Sequence, residues 1–76
     1  MELRPGIYRH YKGKFYELVG TGRHSETLEE FVVYRALYDS PEFGKNAVWV
    51  RPLTMFIDVV EWEGRRQPRF CWVKPA

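Results

Sequence analysis

The chain has 76 residues, of which 17% are aromatic and 29% charged, and its formal net charge is +2. A chain this short forms one domain and buries only about 60% of its unfolded surface, so aromatic rings must supply much of its core. The weak positive charge is too small to predict nucleic-acid binding by itself, and a single cysteine, Cys71, excludes an internal disulfide and fits a reducing compartment. We expect one soluble, cytoplasmic domain over residues 1–76, without a signal peptide or a membrane span.

The first part of the chain predicts a hairpin rich in aromatic residues. Strand-forming residues occupy 7–11 and 15–19, and Lys12-Gly13 between them suits a two-residue turn because glycine takes a positive φ without steric cost. Gly20–Gly22 predicts that the second strand ends in a bulge or a sharp redirection. The capping-box spacing within Thr27–Glu30 then predicts a short helical turn.

The second part of the chain predicts further short strands. Residues 31–38 have some helical spacing, but β-branched and aromatic side chains favour a strand, with Val33 expected in the core. Turn-forming residues collect at 39–46 and predict the longest loop. The remaining segments are a strand at 47–51, a tight turn or one turn of 3₁₀ helix at 53–56, a strand at 57–62, a hairpin turn at 63–64 and a strand at 68–73.

The number of strands and their short connections predict the fold class. Five or six antiparallel strands in so short a chain indicate a mainly β domain, in which a small SH3-like sheet curls into a partly open barrel. One short helical turn is expected beside it. Closure of this kind hides the strand edges that would otherwise pair with other chains.

Several blocks of the sequence are similar to a known family. These blocks follow in order between Gly6 and Phe70, and they are Tyr8–Lys14, Gly22–Thr27, Val33–Tyr38, Trp49–Pro52 and Met55-Phe56. Together they resemble the small bacterial domain of unknown function numbered 1653. The resemblance implies a compact stand-alone bacterial domain, and it carries across no activity, cofactor or catalytic residue.

The polar stretch before residue 31 is the first candidate site. Histidine is the residue type that exchanges protons near neutral pH, and His24 stands beside Ser25 and Glu26 with Arg23 adjacent, which suits binding of an anion or transfer of a proton. The alternative is structural, with Ser25 and Thr27 capping backbone amides and His24 anchoring the loop by one hydrogen bond. Nucleophilic catalysis is the weakest reading, because a serine and a histidine adjacent in sequence do not make a triad.

Tyr34, Trp49 and Arg51 form a second candidate, a groove behind that stretch for a peptide or a small ligand. A tryptophan beside an arginine on an outward face is a recognition surface, although a tryptophan in so small a domain more often belongs to the core. Arg51 requires a partner if it is buried, and Glu26 and Glu29 are the candidates.

Two basic clusters favour a different partner, a single-stranded nucleic acid. Cations for phosphates and rings for stacking are what small barrels use to bind single strands. The cations are Arg9, Lys12 and Lys14 near the first turn and Arg65, Arg66 and Arg69 near the last hairpin. Acidic residues within 26–30 and 58–63 offset this charge.

These candidates define three function classes. We expect a non-enzymatic protein- or ligand-binding module, existing as a monomer or a weak homodimer, whose apolar surface would lie around Trp49 or Trp62. The alternative is a module that binds single-stranded RNA, and the least favoured class is a small enzyme that uses His24. We expect no cofactor, no membrane partner and no metal, because the two histidines and the cysteine lack the paired spacings of zinc sites.

Overall fold

The structure is a computed structural model that describes residues 3–76. Its described part consists of short strands and one helical turn. In chain order these are β1 (Ile7–His10), β2 (Phe15–Arg23), β3 (Glu30–Ala36), β4 (Asp39–Ser40), β5 (Gly44–Lys45), β6 (Val48–Pro52), α1 (Leu53–Phe56), β7 (Val59–Trp62), β8 (Arg65–Pro68) and β9 (Phe70–Lys74).

Five of these strands form one antiparallel sheet in the order β6-β3-β2-β1-β9. β4 pairs with β5, and β7 pairs with β8, as separate two-stranded hairpins. The mainly β, antiparallel fold is confirmed, but the sheets do not close into a barrel. The reason is that the chain between β6 and β9 leaves the sheet to form α1 and the β7–β8 hairpin, so it adds no strand that could join the two edges.

One face of the sheet is covered, and α1 covers it. Alternation along β3 buries Val32 and Tyr34 on this side, which we call the covered face. Phe56 of α1 lies flat on Phe70 of β9, with ring centroids 4.2 Å apart and an interplanar angle of 9°. The edges of Tyr8 and Tyr34 close around Phe56 at centroid distances of 5.4 and 5.6 Å. These rings and Val32 form the core.

The opposite side of the sheet, which we call the outer face, carries Val33 and Val50. The two valines are register partners on β3 and β6, and Val50 is 64% exposed. The expectation that Val33 belongs to the core was therefore wrong by one residue. The neighbouring Val32 is the one that α1 and the aromatic rings enclose, at 0% exposure.

The β2–β3 hairpin differs from the sequence prediction in two respects. A register shift between Leu18 and Gly20 gives a bulge just before the predicted Gly20–Gly22 position, and the strand continues to Arg23 instead of ending. No helical turn forms at Thr27–Glu30. Leu28 takes a φ of 64°, and the Thr27 hydroxyl accepts a hydrogen bond from the Glu29 amide, so the segment is a tight turn that leads directly into β3. Within residues 3–76 the helical turn is α1 (Leu53–Phe56), at the position where the sequence predicts a tight turn or one turn of 3₁₀ helix.

Two other turns were predicted more closely. The first connects β1 to β2 through the four residues Tyr11–Lys14 and not through two, with Gly13 at a φ of 106°. Its backbone amide donates to the carbonyl of His10 at 2.7 Å. The second, Glu63-Gly64, has positive φ at both positions, 52° and 76°, which is the two-residue hairpin turn that the sequence predicts. Residues 31–38 are confirmed as mostly strand.

The assignment of the two faces can be tested with neighbouring valines. Val32→Asp should unfold the domain, because an unpaired buried carboxylate costs several kcal/mol, a large share of the roughly 5–15 kcal/mol that stabilises a native domain. Val33→Asp on the outer face should remain folded. Circular dichroism with thermal melting of both variants measures this, and a folded Val32→Asp protein would contradict the assignment.

The first turn offers a second test. Gly13→Val should destabilise the domain by at least about 1 kcal/mol, and so lower Tm by about 4–8 °C, because valine is strained at a positive φ. Gly20→Val is the matched control, since Gly20 lies in β2 without a positive φ and a Cβ there meets nothing within 4 Å. Equal melting temperatures for the two variants would exclude the proposed turn geometry.

Candidate functional site

The sheet separates the residues of the predicted binding surface into two groups. Tyr34, Trp49 and Arg51 share the covered face, because Trp49 is the register partner of Tyr34 and Arg51 is the partner of the buried Val32. Arg23–Glu26 lies at the end of the β2–β3 hairpin, where the ring of His24 sits 6.2 Å from that of Phe31 on the outer face. The structure therefore brings the first three residues together and places His24 on the other side of the sheet.

His24 organises the turn in which it lies. Its Nδ1 accepts hydrogen bonds from the backbone amides of Glu26 and Thr27 at 3.1 and 3.3 Å. Arg23 adds a bond from Nη1 to the carbonyl of Leu28 at 3.0 Å. These contacts agree in part with the structural reading of the stretch. His24 and Thr27 hold backbone amides, but the bonds of His24 stay inside the turn, and within residues 3–76 the Ser25 hydroxyl caps no amide. Ser25 and Glu26 are exposed beside them.

The same turn borders a shallow, mainly apolar depression on the outer face. The depression is lined by Gly22, Arg23, His24, Phe31, Val33 and Val50.

Arg51 is held on the covered face by aromatic side chains. Its Nε donates to the hydroxyl of Tyr34 at 3.3 Å, and its guanidinium carbon lies 5.9 Å from the ring centroid of Phe70. The partners expected from the sequence, Glu26 and Glu29, are exposed in the β2–β3 turn instead. Within residues 3–76 Arg51 takes part in no ion pair.

Other polar aromatic side chains surround this arginine. The hydroxyls of Tyr16 and Tyr38 are hydrogen-bonded at 2.7 Å, and the ring of Tyr16 meets that of Tyr34 edge-on at 5.3 Å. His10 packs against Phe70 with centroids 5.1 Å apart. At the β6 edge, Phe43 meets Trp49 edge-on at 5.0 Å. We call the following set the Arg51 cluster: His10, Tyr16, Tyr34, Tyr38, Trp49, Arg51 and Phe70.

Burial and charge favour the uncharged forms of His10 and Tyr16, two neighbours of Arg51. Burial lowers the pKa of His10 below 6.5, and the charges of Arg51, Arg69 and Lys12 lower it further. The Nδ1 of His10 accepts the backbone amide of Lys12 at 3.2 Å, so the hydrogen of the neutral ring is on Nε2. Burial and the Tyr38 hydrogen bond raise the pKa of Tyr16. The arginine therefore supplies the charge of the cluster.

An ion pair borders the cluster. Arg69 contacts both carboxylate oxygens of Asp58, Nε to Oδ1 at 2.7 Å and Nη2 to Oδ2 at 3.0 Å. This fork lowers the pKa of Asp58, and burial opposes that effect. The pair joins the start of the β7–β8 hairpin to β9. The charge of Arg69, a candidate for phosphate binding, is thus already matched by a carboxylate.

The other candidate phosphate-binding residues lie in three places. Lys12 stands between two rings, with Nζ 5.8 Å from the centroid of Tyr11 and 5.3 Å from that of Trp62. Arg65 is the register partner of Trp62, and Arg66 follows it. We call Tyr11, Lys12, Trp62, Arg65 and Arg66 the basic tip. Lys14 lies over the ring of Tyr38, and Arg9 is exposed on the outer face.

The described part of the chain shows two further features that bear on function. Across residues 3–76, no three His, Cys, Asp or Glu side chains converge as metal ligands would. None of the described helices has the length and apolar character needed to cross a membrane. Cys71 is exposed and pairs with Arg9 in the register of β1 and β9.

Sequence reasoning missed His10, Tyr16 and Tyr38 as members of one cluster. His10 and Tyr16 were placed on the first two strands, and alternation on a hairpin puts Tyr8 and Tyr16 on the same face. This alternation could have shown that His10 and Tyr16 lie on the same face of the hairpin. The pairing of His10 with Phe70 joins residues far apart in sequence, and no local pattern predicts it.

The fold and the cluster define a small antiparallel β domain that holds an arginine among aromatic rings. The family model described as a protein of unknown function, DUF1653, matches residues 6–72, so this chain belongs to the DUF1653 family, as its sequence blocks predict. The chain is also similar to a crystal structure of a DUF1653 protein from Bordetella bronchiseptica, at 37% identity and a TM-score of 0.86, over 99% of this chain and 92% of that chain. A comparison with curated proteins found no match.

The electrostatic link between Arg51 and His10 can be measured directly. The pKa of His10 should lie below 6.5, and Arg51→Gln should raise it, because the variant removes a positive charge that disfavours the imidazolium. Arg9→Gln on the outer face should leave it unchanged. An NMR titration of the imidazole protons reports all three values, and equal effects of the two variants would contradict the geometry.

The same shift predicts the pH dependence of stability. The unfolded chain takes up the His10 proton at about 6.5, above the folded pKa, so stability is complete above that pH and decreases as pH falls through the folded value. The dependence should be weaker in Arg51→Gln than in the wild-type domain.

Proposed function

We propose that this domain is a non-enzymatic binding module for a protein segment or a small ligand, and that the ligand contacts the covered face at Trp49 and Arg51. The observation that supports this proposal is the state of Arg51, which is half-buried against rings and bonded to a hydroxyl rather than to a carboxylate. Partial removal of a cation from water without a counter-ion costs free energy. A fold that needed only packing would gain more from an apolar residue at this position.

The accessible part of the surface lies along β6. Tyr34 is almost fully buried, so it positions Arg51 rather than meeting a ligand over its ring. Trp49 is half-buried, and its neighbour Phe43 is 59% exposed. A ligand can therefore cover the rings of Trp49 and Phe43 while a polar group reaches Arg51. Exposed aromatic rings beside an arginine are the usual composition of binding hot spots.

The role of His24 favours binding over catalysis. Its Nδ1 accepts hydrogen bonds from two backbone amides, and its ring lies beside Phe31 on the opposite face of the sheet from the Arg51 cluster. A general base must have a free ring nitrogen within reach of the proton it removes and an orienting acid behind it. The exposed Ser25 beside it does not supply these elements.

A second candidate function is binding of single-stranded nucleic acid at the basic tip. The observation that favours it is Lys12, which joins the first turn to the last hairpin by lying against Trp62, a ring that is 39% exposed. Such a ring flanked by cations suits base stacking and phosphate contact. The nearby acidic residues Glu61, the register partner of Arg66, and Glu63 reduce this potential, and so we place this function second.

The binding face can be tested by NMR titration of the ¹⁵N-labelled domain with a mixture of aromatic fragments and short peptides. We expect shifts at the Trp49 indole and along β3 and β6. For a fragment or peptide that binds, Trp49→Leu should weaken affinity about tenfold, the loss expected of a hot-spot residue. The control is Val50→Ser, on the same strand but on the outer face, which should bind normally.

A parallel titration with a pool of short single-stranded oligonucleotides, at low and then at physiological salt, distinguishes the second candidate. Salt-sensitive shifts confined to the basic tip, with the covered face silent in both titrations, would replace the first proposal by the second. A domain that responds to neither set of probes would contradict both.

A further inference from the structure

The geometry points to a carboxylate as the ligand group that Arg51 receives, and we infer that the ligand is an aromatic or otherwise flat apolar acid. This inference rests on the proposed function and narrows it to one chemical class. It follows from the hydrogen-bonding capacity that remains on the cluster, from the rigidity of the guanidinium and from the local balance of charge.

The first step concerns the nitrogen atoms of Arg51. Nε is engaged by the hydroxyl of Tyr34, and neither Nη has a hydrogen-bond partner within residues 3–76. No buried side-chain nitrogen or oxygen of the described chain lacks a partner, so both Nη atoms reach solvent. Their outward N–H groups form a planar fork that matches the two oxygens of a carboxylate.

The second step concerns the orientation of that fork. The hydroxyl that fixes Nε belongs to Tyr34, whose ring is packed edge-on against those of Tyr16 and Phe70, both at 5.3 Å. A donor that is already oriented loses little conformational entropy when it binds. The hydroxyl of Tyr34 accepts from Arg51 and still has its own hydrogen to donate. The Tyr16–Tyr38 pair likewise shares one hydrogen and retains one.

The third step concerns charge. The charge of Arg51 contributes to the lowered pKa of Asp58, but Arg69 occupies both oxygens of that carboxylate. His10 is uncharged at neutral pH, so the charge of Arg51 is not matched inside the cluster. A monoanion is the counter-charge that one guanidinium requires, whereas phosphate sites generally combine several cations or helix amides.

The final step concerns the body of the ligand. Trp49 and Phe43 flank the approach at the β6 edge, and Phe70 lies under the guanidinium. Flat apolar surfaces stack on such rings with a gain of about 0.5–1.5 kcal/mol beyond area burial. An acid that carries a ring next to its carboxylate matches both parts of the site.

The test uses benzoate as the probe and benzamide as its uncharged counterpart, titrated into the ¹⁵N-labelled domain. We expect benzoate to shift the Arg51 Nε–H and Trp49 indole resonances with an affinity about tenfold higher than that of benzamide, because the fork bonds to a charged acceptor. Arg51→Lys keeps the charge but loses the fork and should weaken benzoate binding about as much. Arg9→Gln, on the outer face, should leave it unchanged.

A further variant, Tyr34→Phe, and a further probe, inorganic phosphate, test the inference independently. Tyr34→Phe retains the packed ring and the fold but frees the guanidinium, and it should weaken benzoate binding several-fold while benzamide binding stays the same. Equal affinities of benzoate and benzamide at Trp49 would overturn the carboxylate inference and leave the proposed binding face intact. Inorganic phosphate shifting Arg51 where benzoate does not would also overturn it. Absence of shifts on the covered face with all three probes would overturn the carboxylate inference, and shifts there with the peptides alone would leave the proposed binding face intact.

Discussion

The stacking of Phe56 on Phe70 is the interaction on which the rest of the structure depends. A single sheet can bury a face only if another element covers it, and in this chain the cover is one helical turn of four residues. That turn buries Phe56 to 2% exposure between the rings of Tyr8, Tyr34 and Phe70. Large rings compensate for the short cover, because each ring removes about 150–250 Å² from water.

The candidate site shares side chains with this core. Tyr34 and Phe70 contact Phe56 on one side and Arg51 on the other, so the rings that fold the domain also orient its half-buried cation. Rigidity of the site therefore comes from packing that is needed for stability in any case. This arrangement also explains how a domain of 76 residues can hold a polar cluster without a second structural layer behind it.

Local chemistry made part of this fold predictable from the sequence. The Gly13 and Glu63-Gly64 turns follow from φ preferences, and β3 follows from its β-branched and aromatic residues. The sequence blocks also predict the family. Strand order and sheet closure depend on contacts between residues far apart in sequence. A count of strands therefore could not show that the sheet stays open, and the expected barrel was wrong. Nothing in two adjacent valines says which one faces α1, and only the contact with the core makes Val32 the buried one.

The candidate site was likewise predictable only where alternation along neighbouring strands determines it. Tyr34, Trp49 and Arg51 follow from alternation on two neighbouring strands, and the structure unites them. The grouping with His24 failed because residues close in sequence to a strand end can turn to either face of a sheet, and here the β2–β3 turn brings His24 over Phe31 on the outer face. The contribution of His10 depends on its pairing with Phe70, sixty positions along the chain, which no short-range pattern contains.

The polar stretch Arg23–Thr27 still acts on the Arg51 cluster, through register. His24 and Arg23 fix the β2–β3 turn by hydrogen bonds to its backbone, and that turn aligns Arg23 with Glu30 and Gly22 with Phe31. β3 also pairs with β6, and in that register Val32 lies opposite Arg51. A slip of one residue would move every side chain of β3 to the other face and remove Tyr34 from Arg51. The β2–β3 turn thus fixes which face of β3 carries Tyr34, the side chain that Arg51 contacts.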